Sequence, residues 1–225
     1  MSATWQSDAP PMELPRITML GWVRVVLRFF TLVVLLFGGL AVFFVVRGLE
    51  RPFAGDRRPA SAYIPQWVCG SALAVLGLRF RALGQPMTEP GAQVANHTSW
   101  IDIYALFRRA QVFFVAKASV ATWPAVGFLS RSVGTVFISR DPKEAAAHRA
   151  MFESRLRMGH RLVFFPEGTS TDGSRVLPFK TTLFAAFFEE GLRETLYIQP
   201  VSTRYWTPAG MDDRFYCWWG DMTFA

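Results

Sequence analysis

One histidine and one aspartate have the residue types and the spacing of a catalytic pair. His97 and Asp102 lie five positions apart, between an apolar run typical of a buried strand and a run typical of a helix. The ends of strands are where α/β proteins usually place their sites. A carboxylate in the first turn of such a helix can hydrogen-bond one imidazole nitrogen, which leaves the other nitrogen as a base.

The sequence offers no nucleophile that would extend this pair to a hydrolytic triad. It has no G-x-S-x-G motif, and Cys69 and Cys217 are distant from the pair and form no C-x-x-C motif, so free thiols and no metal site are expected. The base would then act on a substrate hydroxyl, which indicates group transfer onto an alcohol. The alternative is that Ser99 and Asp102 form a helix capping box and that His97 is a loop histidine.

Polar residues also follow other apolar runs. The run 161–165 leads into a Pro-Glu-Gly turn, where Gly168 permits close backbone approach and exposed N–H groups could hold an anion. Arg140 and Lys117 each end an apolar strand. Taken alone, such residues are either phosphate ligands or ordinary surface charges.

The first 81 residues have the composition of a membrane anchor. Residues 1–15 are polar and proline-rich, which predicts a flexible tail, and residues 16–81 are predicted to form membrane-anchoring helices. The stretch Phe29–Val46 has 18 residues without a charge. As a helix it would be about 27 Å long, close to the roughly 30 Å hydrocarbon core. Trp67–Leu78 is too short to span, so either a spanning helix precedes an interfacial one or a helical pair dips into one leaflet.

From residue 82 onward the pattern predicts an α/β fold, a central mixed sheet flanked by helices. Five strands are predicted, at Gln93–Ala95, Val112–Ala116, Gly134–Ile138, Arg161–Phe165 and Tyr197–Val201. Four helices are predicted between them, at Trp100–Arg109, Trp123–Ser132, Lys143–Met158 and Thr182–Glu190.

The positive charge lies mainly in the apolar N-terminal part. Residues 1–81 hold nine arginines against four acidic residues, whereas residues 82–225 are nearly balanced, with 15 basic and 13 acidic residues. This placement favours contact with anionic lipid headgroups. Because the folded part carries no basic stripe, no nucleic-acid partner is expected.

Four ordered blocks over roughly residues 90–203 together resemble the 1-acylglycerol-3-phosphate acyltransferase (lysophosphatidate acyltransferase) family of glycerolipid acyltransferases. The blocks are N-H-x4-D at 96–102, a Lys-Pro-Gly-Gly-Arg series at 117–140, F-P-E-G-T with a downstream P-F-K at 165–180, and a strand with a central proline at 198–201. The resemblance implies that residues 82–225 are an acyltransferase catalytic domain behind a membrane segment.

The resemblance also implies a mechanism. His97 would deprotonate the hydroxyl of a lysolipid acceptor, Asp102 would orient His97, and the alkoxide would attack an acyl carrier protein or coenzyme A thioester. No metal, cofactor or covalent intermediate is implied. The substrate-binding residues would be Asn96, Lys117, Arg140, Glu167, Gly168, Thr169, Arg175 and Lys180.

The sequence departs from the family at positions that bear on the acceptor. Ser170 follows F-P-E-G-T where the family usually has arginine, and Ser119-Val120 stand where it usually has Glu-Leu. The run 167–180 resembles the lyso-ornithine-lipid acyltransferase branch, although Arg175 could compensate for the missing arginine.

The expected reaction makes phosphatidic acid from 1-acyl-sn-glycerol-3-phosphate. The alternatives are the same chemistry on lyso-ornithine lipid and an inactive lipid-binding protein of this fold. The expected location is a bacterial inner membrane, among membrane lipids, with the catalytic domain on the cytoplasmic face.

Overall fold

The computed structural model describes residues 5–139, 142–181, 184–188, 193–194, 196–220 and 222. The chain divides into two compact units. One unit combines residues 11–85 with residues 103–111, and the other combines residues 1–10, 86–102 and 112–225.

Two apolar helices, α1 (Met19–Ala54) and α2 (Tyr63–Leu76), make up most of the first unit. Helix α1 has 36 residues, and its N-terminus is capped by the Thr18 hydroxyl. At 1.5 Å per residue it is about 54 Å long. In the described part of the chain it is the one helix long and apolar enough to cross a membrane, and it contains the predicted stretch Phe29–Val46.

A buried polar cluster closes the turn between α1 and α2. The Glu50 carboxylate accepts hydrogen bonds from the backbone N–H groups of Ala60 and Ser61, each at 3.0 Å, and from the Ser61 hydroxyl. Arg47 donates to Glu50 and to the carbonyl oxygen of Gly55 at 2.7 Å. The charges of Arg47 and Glu50 are therefore satisfied within the turn.

The second unit contains a five-stranded sheet. Its strands are β1 (Gly91–Ala95), β2 (Phe113–Lys117), β3 (Val136–Ile138), β4 (Arg161–Phe164) and β5 (Tyr197–Val201), in the order β3-β2-β4-β1-β5. The predicted α/β class is confirmed, but a mixed sheet was expected and all four strand pairings are parallel. The reason is that each strand returns to the sheet through a long crossover rather than a hairpin. Consequently β4, β1 and β5, which are neighbours, end at the same edge.

Helices form where the sequence predicts them, with shifted boundaries: α3 (Ile101–Arg109), α4 (Val126–Val133) and α5 (Ala145–Arg157). Helix α4 begins three residues later than predicted because Pro124 and Ala125, which has a φ of 56°, interrupt a helical backbone. Of the fourth predicted helix, residues 185–188 form a 3₁₀ turn, and residues 182–183 and 189–190 lie outside the described residues.

The core lies between α5 and the sheet. Phe152 and Leu156 of α5 pack in one cluster with Leu162 and Phe164 of β4, and Phe187 joins them. Leu162 and its neighbour Val163 have no exposed surface. Because β4 lies at the centre of the sheet, this packing fixes the strand that leads into the Pro-Glu-Gly turn.

We expect Leu162→Ala to lower the free energy of unfolding by about 2–5 kcal/mol, because it leaves a cavity beneath the central strand. The measurement is denaturant unfolding of the protein in detergent micelles. Val176→Ala is the control, since Val176 is 57% exposed and should change the free energy by less than about 0.5 kcal/mol. Equal effects of the two substitutions would contradict the assignment of the core.

Candidate active site

His97 and Asp102 form a hydrogen-bonded pair just beyond the end of β1. The distance from His97 Nδ1 to Asp102 Oδ2 is 2.8 Å. The same oxygen accepts the backbone N–H groups of Thr98 at 2.8 Å and of Ser99 at 3.0 Å. Asp102 therefore accepts the helix-capping bond from Ser99 and also the bond from His97. The sequence had suggested a capping box and a catalytic pair as alternatives.

The tautomer of His97 follows from these contacts. Backbone N–H groups can only donate, so Asp102 Oδ2 is an acceptor and His97 Nδ1 carries the proton. The lone pair is then on Nε2, which has no hydrogen-bond partner within the described residues. The His97 ring stacks on Phe165 with centroids 3.9 Å apart and planes at 11°, and 19% of its side chain is exposed. A fixed ring with a free nitrogen suits a general base.

The other oxygen of Asp102 is bound by the hydroxyl groups of two residues that no sequence motif indicated. Thr203 Oγ1 donates to Oδ1 at 3.0 Å and Tyr205 OH donates to it at 2.5 Å. Both residues follow β5, which lies beside β1. Their position after a strand with a central proline was the available signal, but it identifies a partner only once the strand order is known.

The surroundings of Asp102 favour its charged form. The side chain has no exposed surface, and burial alone would raise its pKa, but hydrogen bonds from His97, Tyr205 and the Ser99 backbone outweigh burial and lower the pKa. Burial and the negative charge of Asp102 both raise the pKa of Tyr205, so its hydroxyl remains a neutral donor.

Glu167 joins the loops that follow β4 and β1. One oxygen of its buried carboxylate accepts the backbone N–H of His97 at 2.8 Å, and the other accepts that of Leu177 at 2.7 Å. The N–H of Thr171 donates to the carbonyl of His97 at 3.0 Å. Both Glu167 oxygens thus contact backbone, and His97 is held at its N–H and its carbonyl.

The turn after Glu167 is tight. Gly168 has a φ of 69°, and a Cβ there would collide with the Lys180 side chain. The Lys180 backbone N–H donates to the Pro166 carbonyl at 2.9 Å. Lys180 and Gly168 are therefore neighbours in space, and Thr169, the residue after Gly168, is half-buried.

Asn96 and Lys117 occupy different places in the sheet. The Asn96 amide pairs with the backbone of Thr203, accepting its N–H at 2.8 Å and donating to its carbonyl at 3.0 Å. Lys117 ends β2, which is separated from β1 by β4. Arg140 lies outside the described residues.

Arg175 lies against the N-terminal residues of the chain. Its guanidinium carbon is 5.8 Å from the centre of the Trp5 ring, and the nearby Ser7 hydroxyl donates to Asp172 at 2.5 Å. Substrate binding by the eight predicted residues stays a prediction. Within the described ranges no three His, Cys, Asp or Glu side chains group as a metal ion would need, and the metal-free reaction likewise stays a prediction.

A sequence model of the Acyltransferase family matches residues 81–204, more than half of the chain. The chain belongs to the acyltransferase family. It is therefore an enzyme that transfers acyl groups, and the resemblance carried by the four sequence blocks is confirmed.

Individual relatives cover most of the chain. It is 51% identical over 221 residues to the lyso-ornithine lipid O-acyltransferase of Rhodobacter capsulatus, covering 98% of this chain and 80% of that protein. It is 34% identical over 214 residues to the protein of the same name from Rhizobium meliloti, covering 91% and 71%. It is also 34% identical over 144 residues to the 1-acyl-sn-glycerol-3-phosphate acyltransferase of Neisseria gonorrhoeae, covering 62% and 54%.

We expect Glu167→Gln to lower both stability and turnover. A glutamine offers one acceptor oxygen, so the backbone N–H of either His97 or Leu177 would face an NH₂ group, at a cost of about 1–3 kcal/mol. Unfolding free energy and kcat are measured on the same preparation. The exposed Glu194 provides the matched control, Glu194→Gln, which should change neither, and equal behaviour of the two variants would refute this role.

We expect acid to weaken the fold partly through Asp102. Because its pKa is lowered in the folded protein, its contribution to stability is complete above the unfolded value of about 4 and is lost as the pH falls towards the folded value. Unfolding free energy measured from pH 6 downward should therefore fall more steeply in the wild type than in Asp102→Asn. Parallel curves would contradict the shift.

Proposed function

We propose that this protein transfers a fatty acyl chain from a thioester to the free hydroxyl of lyso-ornithine lipid, with His97 as the general base. The observation that carries the chemistry is the fixed His97 imidazole, whose Nδ1 is bound to Asp102 and whose Nε2 is free within the described residues. The acceptor assignment is supported by the relatives that share nearly the whole chain.

The reaction needs one proton to move twice. His97 Nε2 removes the proton of the acceptor hydroxyl while that oxygen attacks the thioester carbonyl, and the buried Asp102 carboxylate stabilises the resulting imidazolium. The carbon–sulfur bond then breaks, and the leaving thiolate takes the proton from Nε2. The products are the new ester and the free thiol of acyl carrier protein or coenzyme A. A substrate hydroxyl supplies the nucleophile that the protein lacks.

Two observations favour lyso-ornithine lipid as the acceptor. Relatives from Rhodobacter capsulatus and Rhizobium meliloti with that printed activity are 51% and 34% identical over 98% and 91% of the chain. Ser170, at the position where an arginine is expected after F-P-E-G-T, is buried with 7% of its surface exposed. A phosphate-binding guanidinium is thus replaced by a short, buried hydroxyl, which suits an acceptor without a phosphate.

The second candidate acceptor is 1-acyl-sn-glycerol-3-phosphate, which would give phosphatidic acid. The Neisseria gonorrhoeae relative is named for that activity, and its alignment with this chain covers about half of its length. Arg175, five positions beyond Ser170, and Lys180 beside Gly168 are cations that could bind the phosphate. The alternative of an inactive lipid-binding protein disagrees with the family to which the chain belongs, and such a protein would not need the His97–Asp102 pair.

We propose that the protein lies at the bacterial inner membrane. Its second unit, which contains the sheet and the His97–Asp102 pair, would face the cytoplasm, where acyl thioesters are made. Support comes from helix α1, which is long and apolar enough to span, and from the lipid-modifying relatives. Membrane lipids would then surround α1 and α2 and supply the acceptor.

We expect His97→Ala to lower turnover by about 10²–10⁴, the usual contribution of a general base. Acyl transfer is measured with the purified protein in lipid nanodiscs. His148→Ala, a substitution in helix α5, is the matched control and should retain wild-type activity. Retained activity in His97→Ala would eliminate the proposed mechanism.

We expect the wild type to have a higher kcat/KM with lyso-ornithine lipid than with 1-acyl-sn-glycerol-3-phosphate. The reason is that Ser170 stands where the family usually has an arginine that could bind the phosphate. The two acceptors are compared in the same nanodiscs with acyl carrier protein and coenzyme A thioesters as donors. A preference for the phosphate acceptor would overturn the acceptor assignment and leave the role of His97 intact.

A further inference from the structure

We infer that Thr203 and Tyr205 are positioning residues of the catalytic pair, and that Asn96 acts through Thr203 rather than on the substrate. The inference deepens the proposed function, since it rests on His97 as the base. It concerns the side of Asp102 that faces away from the imidazole.

Asp102 is a fully buried carboxylate with five hydrogen-bond donors. Among the residues that the structure describes, Oδ2 accepts His97 and two backbone N–H groups, whereas Oδ1 accepts only the hydroxyls of Thr203 and Tyr205. The side chain has no exposed surface, so water cannot readily replace a lost donor. A buried charged oxygen without a donor is costly, and the carboxylate would attract the proton on the imidazolium more strongly. The two hydroxyls therefore determine the orientation and the charge density of the Asp102 carboxylate that bonds His97.

Thr203 is itself held in place by Asn96. The ladder between β1 and β5 ends with the pair Ala95 and Val201. Beyond it, the Asn96 amide accepts the backbone N–H of Thr203 and donates to its carbonyl, which continues the pairing by a side chain. The amide oxygen and the amide nitrogen of Asn96 both bond the backbone of Thr203. Asn96 therefore affects Asp102 by holding Thr203, whose hydroxyl bonds the carboxylate.

This arrangement has a consequence for proton affinity. Donors on Oδ1 withdraw negative charge from the carboxylate and moderate its attraction for a proton on His97. Removing a donor should stabilise the imidazolium, so the acid limb of the rate profile should move to higher pH. A residue that only supported the fold would lower stability without moving that limb.

The kinetic test compares isosteric variants with the acceptor that the wild type uses best. Tyr205→Phe and Thr203→Val should each lower kcat about tenfold, the scale of one hydrogen bond to a charged group, because the more tightly held imidazolium returns its proton to the leaving thiolate less readily. The acceptor KM should be unchanged and the acid limb should lie at higher pH. Thr203→Ser keeps the hydroxyl and should retain activity. Tyr216→Phe is the control, because its ring lies 6.1 Å from that of Tyr205 but its hydroxyl does not bond Asp102.

Two results would overturn the inference. One is wild-type kcat and pH dependence in Tyr205→Phe and Thr203→Val. The other is a raised acceptor KM with unchanged kcat, which would make these residues substrate contacts.

A second readout needs no substrate. The chain has three histidines, so ¹⁵N-histidine labelling gives three imidazole signal sets, and His97→Ala assigns one of them. In the wild type, His97 should carry its proton on Nδ1, and its titration midpoint should rise in Tyr205→Phe and in Thr203→Val. An unchanged midpoint in folded variants would reject the inference, whereas failure of the wild type to acylate lyso-ornithine lipid would reject only the proposed acceptor.

Asn96→Ala separates positioning from substrate binding. If Asn96 acts through Thr203, the variant should lower kcat by a factor similar to that of Thr203→Val, and combining the two substitutions should add little. Independent losses that multiply, or a raised acceptor KM, would show instead that Asn96 contacts the acceptor.

Discussion

A single buried charge, the Asp102 carboxylate, constrains how the strands of the second unit are arranged. The Asp102 carboxylate is out of reach of water, so the protein must supply donors for both of its oxygens. These donors come from the loop after β1 and from the residues after β5, and Glu167, after β4, fixes the backbone of His97. Three neighbouring parallel strands must therefore end at one edge, so this hydrogen-bond network requires the strand order β4-β1-β5.

The parts of this site that the sequence could predict are local. His97 and Asp102 lie within one strand–helix junction, so residue type and spacing indicated the pair while leaving a capping box with Ser99 as the alternative. Thr203 and Tyr205 are 101 and 103 positions from Asp102, and their contact depends on β5 lying beside β1. Strand positions were likewise predictable from apolar runs, but the parallel pairing was not, because it is decided by crossovers rather than by the composition of a strand.

Glu167 illustrates a further limit of sequence reasoning. A carboxylate next to a glycine turn suggests a ligand for a polar headgroup, yet both of its oxygens accept backbone N–H groups of the protein. The F-P-E-G-T pattern predicts the turn, but it does not predict whether the Glu167 side chain contacts the substrate or the backbone of the protein. Around this turn Thr169 is half-buried and Arg175 is exposed, so their side chains are more accessible than the Glu167 carboxylate.

The pairing of the last strand with the first also bears on biosynthesis. During translation, His97, Asp102 and Glu167 leave the ribosome long before Thr203 and Tyr205, since the chain is made from its N-terminus. Until β5 adds to the edge of β1, water is the donor left for the Asp102 oxygen that faces those hydroxyls. Contacts of such long sequence separation form late. The growing polypeptide therefore completes the set of protein donors to Asp102 only after the fifth strand of its sheet has been synthesised.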